Sequence, residues 1–192
     1  MTKEAEHALI RGALAGDGTS IEALVRAHQD SVFGFILRMS GRPDVAEDIV
    51  QEAFVRVIKN LHRFDMRFRF STWLFTIAKR LYVNYRQKQS VAYDSDIVAM
   101  QPDGAESPVQ IMGSEERADG LRKMVQVALS KLPEPQREIV LLYHQQEWPI
   151  AEIAMFMSMP EGTVKSHLHR ARERMKRTIV ERGFFPIMLK GE

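Results

Sequence analysis

Lys165, Ser166, His169 and Arg170 stand one, three and four residues apart. At about 100° of turn per residue these spacings put them on one face of a helix. Val164, Leu168, Ala171 and Met175 fall on the opposite, apolar face. A row of ammonium, hydroxyl, imidazole and guanidinium donors suits phosphate oxygens and the acceptor edges of bases. From Trp148 to Arg170 the chain reads as a short helix, a tight turn and a longer basic helix, with Ala154 small enough for close packing. A solvated surface helix would carry similar charges, but turn, spacing and basic face together fit a helix-turn-helix whose second helix enters a groove.

A second candidate lies in Arg63-Phe64-Asp65-Met66-Arg67-Phe68-Arg69-Phe70-Ser71-Thr72-Trp73. Rings interleaved with guanidinium groups can stack unpaired bases while holding phosphates. For Phe64, Phe70 and Trp73 a core position is the simpler expectation, whereas Phe68 and the arginines are expected to be exposed. The following helix is expected to bury Leu74, Ile77, Ala78 and Leu81. It would present Thr76, Lys79, Arg80, Val83 and Gln87, with Trp73 and Asn84 at the border.

A third candidate is acidic. In the helix beginning at Pro43, the apolar stripe is Ala46, Ile49, Val50, Ala53, Phe54, Val57 and Leu61. Asp44, Asp48, Gln51, Glu52 and Val55 lie opposite. Acids around a small apolar patch repel phosphates and suit a basic protein surface.

Catalytic and metal chemistry find little support. His167 and His169 are two apart and diverge on a helix, whereas helical zinc pairs sit four apart. His144 and Glu147 lack an obvious third ligand, and neither a glycine-rich phosphate loop nor a nucleophile motif is visible. No catalytic residue, metal site, cofactor or small-molecule substrate is expected, and the chain is read as a non-enzyme. There are no cysteines, so disulfides are excluded and a reducing cytoplasm is the expected setting.

The elements that must carry these residues follow from the periodicity. It predicts helices over 3–15, 20–40, 43–63, 71–89, 115–131, 134–146, 149–157 and 161–181, with Ser71 as an N-cap and Gly183 as a helix end. Pro43 fits a first helical position. The expected fold is all-α: two small helical domains, 1–89 and 114–183, joined by an acidic linker at 90–113 expected to be flexible, with an apolar tail at 184–192. No apolar run is long enough to span a bilayer, and no signal-peptide core is seen, so membrane insertion is not expected. Net charge is only +2, but it is unevenly placed. Arg63 to Lys88 holds seven bases against one acid, Val91 to Asp119 one base against seven acids, and Glu161 to Arg182 seven bases against three acids.

Three ordered motifs carry a family resemblance. Asp44 to Arg56, Phe70-Ser71-Thr72-Trp73-Leu74-Phe75-Thr76-Ile77-Ala78, and Leu132-Pro133 through Gly162-Thr163-Val164-Lys165-Ser166 resemble bacterial sigma factors of the extracytoplasmic-function (ECF) group. The resemblance covers about 20–88 and 115–180. It implies that the first domain is sigma region 2, with Asp48, Gln51 and Glu52 docking on the β′ clamp helices of core RNA polymerase. It further implies that Arg67, Phe68, Arg69, Trp73, Lys79, Arg80 and Asn84 contact the minus-ten promoter element, where a base is extruded from the duplex. Region 4 would read the minus-thirty-five element through Lys165, Ser166, His169 and Arg170 while resting on the β flap. An anti-sigma factor is a further implied partner. Many relatives carry Asn at the position of Arg80 and Asp at that of Asn84. The alternative is a helix-turn-helix regulator without sigma activity, which would dimerise on palindromic sites.

Overall fold

A computed structural model of the chain describes residues 2–93 and 114–182. The described residues form eight α-helices and one 3-10 turn, and the chain divides into two compact units at residue 98. The expected end at Gly183, the tail at 184–192 and most of the expected linker (94–113) lie outside the described residues. Among those described, no helix is long and apolar enough to cross a membrane.

The first unit contains α1 (Lys3–Leu14), α2 (Gly18–Ser40), α3 (Pro43–Lys59), a 3-10 turn (Leu61–Arg63) and α4 (Phe70–Tyr93). Local chemistry sets most of their ends. The Thr2 hydroxyl accepts from the Ala5 N–H at 3.3 Å. The Asp17 carboxylate accepts from the Thr19 and Ser20 N–H groups, both at 3.1 Å, so α2 starts at Gly18 rather than 20. Gly41, at φ 70°, closes α2 and donates its N–H to the Leu37 carbonyl at 2.8 Å. Pro43 opens α3 as expected.

Other boundaries also differ from expectation. α3 stops at Lys59 because the Asn60 side chain takes the Arg56 carbonyl at 2.8 Å, and a 3-10 turn replaces the last predicted turn. α4 starts at Phe70, so Ser71 is helical and not the cap. It also runs to Tyr93, which makes the first residues of the expected linker helical.

α2 packs on α1, α3 and α4, and α3 also packs on α4. Their shared core includes Val32, Phe35 and Ile36 from α2, Ala46, Ala53 and Val57 from α3, and Leu74, Phe75 and Ala78 from α4. The Phe35 and Phe75 rings lie 5.1 Å apart. Each fully buried large apolar side chain contributes about 1.5–3 kcal/mol relative to exposure. The buried stripe of α4 is rotated from the predicted one. Phe75 and Tyr82 are buried, while Ile77 and Leu81 are only partly so. The reason is that α4 faces two helices at once, which widens and shifts the stripe.

The second unit contains α5 (Ser114–Ser130), α6 (Glu134–His144), α7 (Ile150–Met157) and α8 (Glu161–Glu181). Pro133, Pro149 and Pro160 each precede a helix, and each proline carbonyl accepts the N–H groups three and four residues on. α6 ends two residues earlier than expected. The Arg137 guanidinium donates to the carbonyls of Leu129 (2.9 Å), Ser130 (2.9 Å) and Leu132 (3.2 Å), covering the last carbonyls of α5 and the turn after it. α5, α6 and α7 all pack on α8 through Val164, Leu168 and Ala171, which are buried.

Candidate nucleic-acid and polymerase interface

The acidic face of α3 is laid out as its period requires. Asp44, Asp48, Gln51, Glu52 and Val55 are exposed, while Val45, Ala46, Ile49, Ala53, Phe54 and Val57 are buried. Glu52 is held by Arg56 one turn on, at 2.6 Å, and Asp44 by Arg42 at 2.5 Å. The Arg42 guanidinium beside Asp44 keeps its carboxyl below the usual range. Asp48 has no ion-pair partner among the described residues, so its negative charge is the least committed on this ridge.

The segment between the 3-10 turn and α4 is a tight loop. The Asp65 carbonyl accepts the Phe68 N–H at 3.1 Å, and the Asp65 carboxylate accepts the Arg67 N–H at 2.9 Å. The same carboxylate also binds the Arg67 guanidinium, at 2.6 Å from one terminal nitrogen. Hydrogen bonds from Arg67 hold the Asp65 carboxyl low, and the pairing raises the guanidinium. Arg67 is therefore exposed, as a phosphate ligand must be, yet it already carries a counter-charge. Periodicity does not signal this pairing, because side chains two residues apart meet only when the loop turns sharply.

Of the aromatic residues, Phe68 stands out at 55% exposure. Phe70 is fully buried, as the simpler expectation held. Phe64 and Trp73 are half-buried, their rings 5.3 Å apart, and both lean on Phe70 at 5.7 and 6.0 Å. The three rings form one aromatic cluster at the start of α4. Arg69, Arg80 and Asn84 are exposed, and Lys79 is half-buried. Trp73, Arg80 and Asn84 are seven and four residues apart, so they share one face of α4.

In the second unit α7 and α8 form the helix-turn-helix. Ser158 takes the left-handed conformation (φ 52°), and Met159 donates its N–H to the Ala154 carbonyl at 3.0 Å. Ala154 is buried at this crossing, as expected of a small residue. Trp148 is buried edge-on against Phe156 with centroids 5.3 Å apart. On α8, Lys165, Ser166, His169 and Arg170 are all exposed. The Ser166 hydroxyl donates to the Gly162 carbonyl at 2.9 Å, which leaves it chiefly as an acceptor. His167 is half-buried beside this row, its Nδ1 shielded from water. Burial, and then the Arg170 charge, push its imidazole below the usual histidine value.

Two features escaped the sequence reading. Met155 is 67% exposed, and with Ala151, Ala154, Met159 and Pro160 it lines a shallow apolar groove beside the turn. Arg172 lies over the Tyr143 ring at 5.5 Å and 3.3 Å from the His144 Nε2. Burial, followed by that guanidinium, keeps His144 below its ordinary value.

Residues 24–91 match the family model for sigma-70 region 2, and residues 122–175 match that for sigma-70 region 4. The ECF RNA polymerase sigma factor SigW of Bacillus subtilis (strain 168) is 31% identical, over 88% of this chain and 94% of its own. The ECF RNA polymerase sigma-E factor of Escherichia coli (strain K12) is 33% identical, over 88% and 91% respectively. Among solved structures, the sigma factor RpoE in complex with the anti-sigma factor NepR from Bartonella quintana superposes with a TM-score of 0.67 and 26% identity, covering 82% of this chain and 95% of that one. Shared length, shared order of the two regions and shared fold place this chain in the sigma-70 family, among the ECF RNA polymerase sigma factors.

Proposed function

We propose that the three surfaces divide the work of a sigma factor between them, in a cytoplasmic protein that catalyses no reaction of its own. Asp48, Gln51 and Glu52 on α3 dock on the β′ clamp helices of core RNA polymerase. Arg67, Phe68, Arg69, Trp73, Lys79, Arg80 and Asn84 engage the minus-ten element. Phe68 is the ring available to stack on an extruded base, with the Phe64, Phe70 and Trp73 cluster behind it. Lys165, Ser166, His169 and Arg170 on α8 enter the major groove of the minus-thirty-five element while the same unit rests on the β flap. Domain limits of 1–89 and 114–183 fit this division.

The observation that carries the reading is the exposed row on α8 standing directly behind a buried Val164, Leu168 and Ala171 spine, in a chain of this family. Restraint by an anti-sigma factor is part of the reading. It is supported by the relative whose structure holds NepR, and by exposed apolar side chains such as Met155 and Val55 beside the working faces. The test is transcription in vitro from a library of promoter fragments, using core polymerase with and without this protein. Promoter-specific start sites that depend on the protein are expected. Core polymerase that neither binds the protein nor gains specificity from it would overturn the reading.

A further inference from the structure

The helix α1 lies upstream of the region 2 match, which begins at residue 24. Its contacts converge on both ends of the loop that carries Phe68. At the entry, α1 packs on the 3-10 turn Leu61–Arg63. At the exit, the Glu6 carboxylate faces the backbone N–H of Phe70, the first residue of α4, which helps to hold it below its ordinary value. Glu6 Oε1 also lies 3.1 Å from His28 Nε2 of α2, an electrostatic contact looser than an aligned hydrogen bond, with side-chain exposures of only 15% and 12%. The His28 ring in turn packs on Phe70, centroids 5.2 Å apart.

The first N–H groups of a helix have no partner within it and are stabilised by an acceptor, best an anionic one. Here the anion comes from another helix. A carboxylate shielded from water keeps much of its strength in such a contact. An anion here favours a helix start at Phe70, where the loop of residues 64–69 ends.

We propose that Glu6 is a positioning residue for promoter opening, acting through Phe70 to hold the Phe68 loop ready to receive unpaired DNA. The inference rests on the reading of that loop as the minus-ten contact, so the experiment must separate the two. It uses the full chain with core polymerase and three variants: Glu6→Ala, Glu6→Gln and Phe68→Ala. Three quantities are read: affinity for core polymerase, affinity of the holoenzyme for a single-stranded minus-ten oligonucleotide, and the opening rate followed by 2-aminopurine fluorescence in the promoter.

Glu6→Ala should lower oligonucleotide affinity and opening rate roughly tenfold, as for loss of an anion at a part-buried helix N-terminus, with core affinity changed less than about twofold. Glu6→Gln keeps a polar carbonyl beside the Phe70 N–H but loses the charge, so it should fall between wild type and Glu6→Ala. Adding Glu6→Ala to Phe68→Ala should cost little more than Phe68→Ala alone, because both act through one loop. Equal loss of core and DNA binding in Glu6→Gln, tracking a drop in thermal stability, would make the contact merely structural and overturn the proposal. Full opening in both Glu6 variants beside a defective Phe68→Ala would also overturn it while sparing the minus-ten reading. An unimpaired Phe68→Ala would remove the minus-ten reading, and the proposal with it.

Discussion

The Tyr82 hydroxyl donates a 2.9 Å hydrogen bond to the carbonyl oxygen of Met39, 43 positions earlier in the chain. Met39 sits in the last turn of α2, where carbonyls run out of partners within their own helix. A buried side chain from α4 supplies the donor and so locks α4 against the end of α2. Tyr82→Phe keeps the ring and removes only this donor. It should lower stability by about 1 kcal/mol, the usual net contribution of such a hydrogen bond. Urea unfolding of the full chain measures this, and an unchanged midpoint would show that water replaces the hydroxyl.

Ser158 holds the turn of the helix-turn-helix at φ 52°, a conformation that side chains with a Cβ resist. Ser158→Gly should therefore raise the stability of the second unit by up to about 1 kcal/mol, and Ser158→Val should lower it by a similar amount. Thermal melts of both variants against wild type test the pair. A destabilised Ser158→Gly would mean that the serine side chain contributes more than its backbone strain costs.

In the loop, Asp65 neutralises Arg67. Asp65→Asn leaves an acceptor for the Arg67 N–H but releases the guanidinium to seek phosphate. For the holoenzyme on promoter DNA, the plot of log affinity against log salt should steepen by about one unit of slope. A slope that stays the same would remove Arg67 from the set of phosphate contacts.

The Glu6 contact also makes a pH prediction. Burial pushes the Glu6 carboxyl up. The close His28 imidazole, the Phe70 N–H and the Arg69 charge together pull it below its ordinary 4.5. A carboxyl lower in the folded than in the unfolded chain favours folding fully above the unfolded value, and that contribution is lost as pH falls through the folded value. The stability gap between wild type and Glu6→Gln should thus be widest near neutrality and narrow steadily below pH 4.5. Urea midpoints across that range report it, and a gap that widens in acid would reverse the assigned sign.

On the upstream face, Lys165→Ala and Arg170→Ala should each weaken minus-thirty-five binding, by roughly 1–3 kcal/mol where a base contact is lost. Asp48→Ala should weaken core polymerase binding without changing the melting curve, since Asp48 is exposed. Competition binding with labelled holoenzyme separates these effects. Loss of folding in Asp48→Ala would contradict the observed face of α3.

The sequence by itself determined the helices and their outward faces. Val164, Leu168 and Ala171 against Lys165, Ser166, His169 and Arg170, or Ala46, Ala53 and Val57 against Asp48, Gln51 and Glu52, follow from a period of 3.6 that any amphipathic helix must obey. Proline and small polar residues at the ends of α2, α3 and α8 are equally local signals.

Tertiary structure decided what depends on distant partners. Tyr82 and Phe75 go inside because α4 meets α2 and α3 together, which no period along one helix encodes. Arg67 turns onto Asp65, and α4 begins at Phe70 beside Glu6, because the loop closes sharply and a carboxylate 64 residues upstream is waiting there. Periodicity reports which side of a helix avoids water, whereas the choice of partner for a charge or a helix end depends on contacts between residues far apart in the chain.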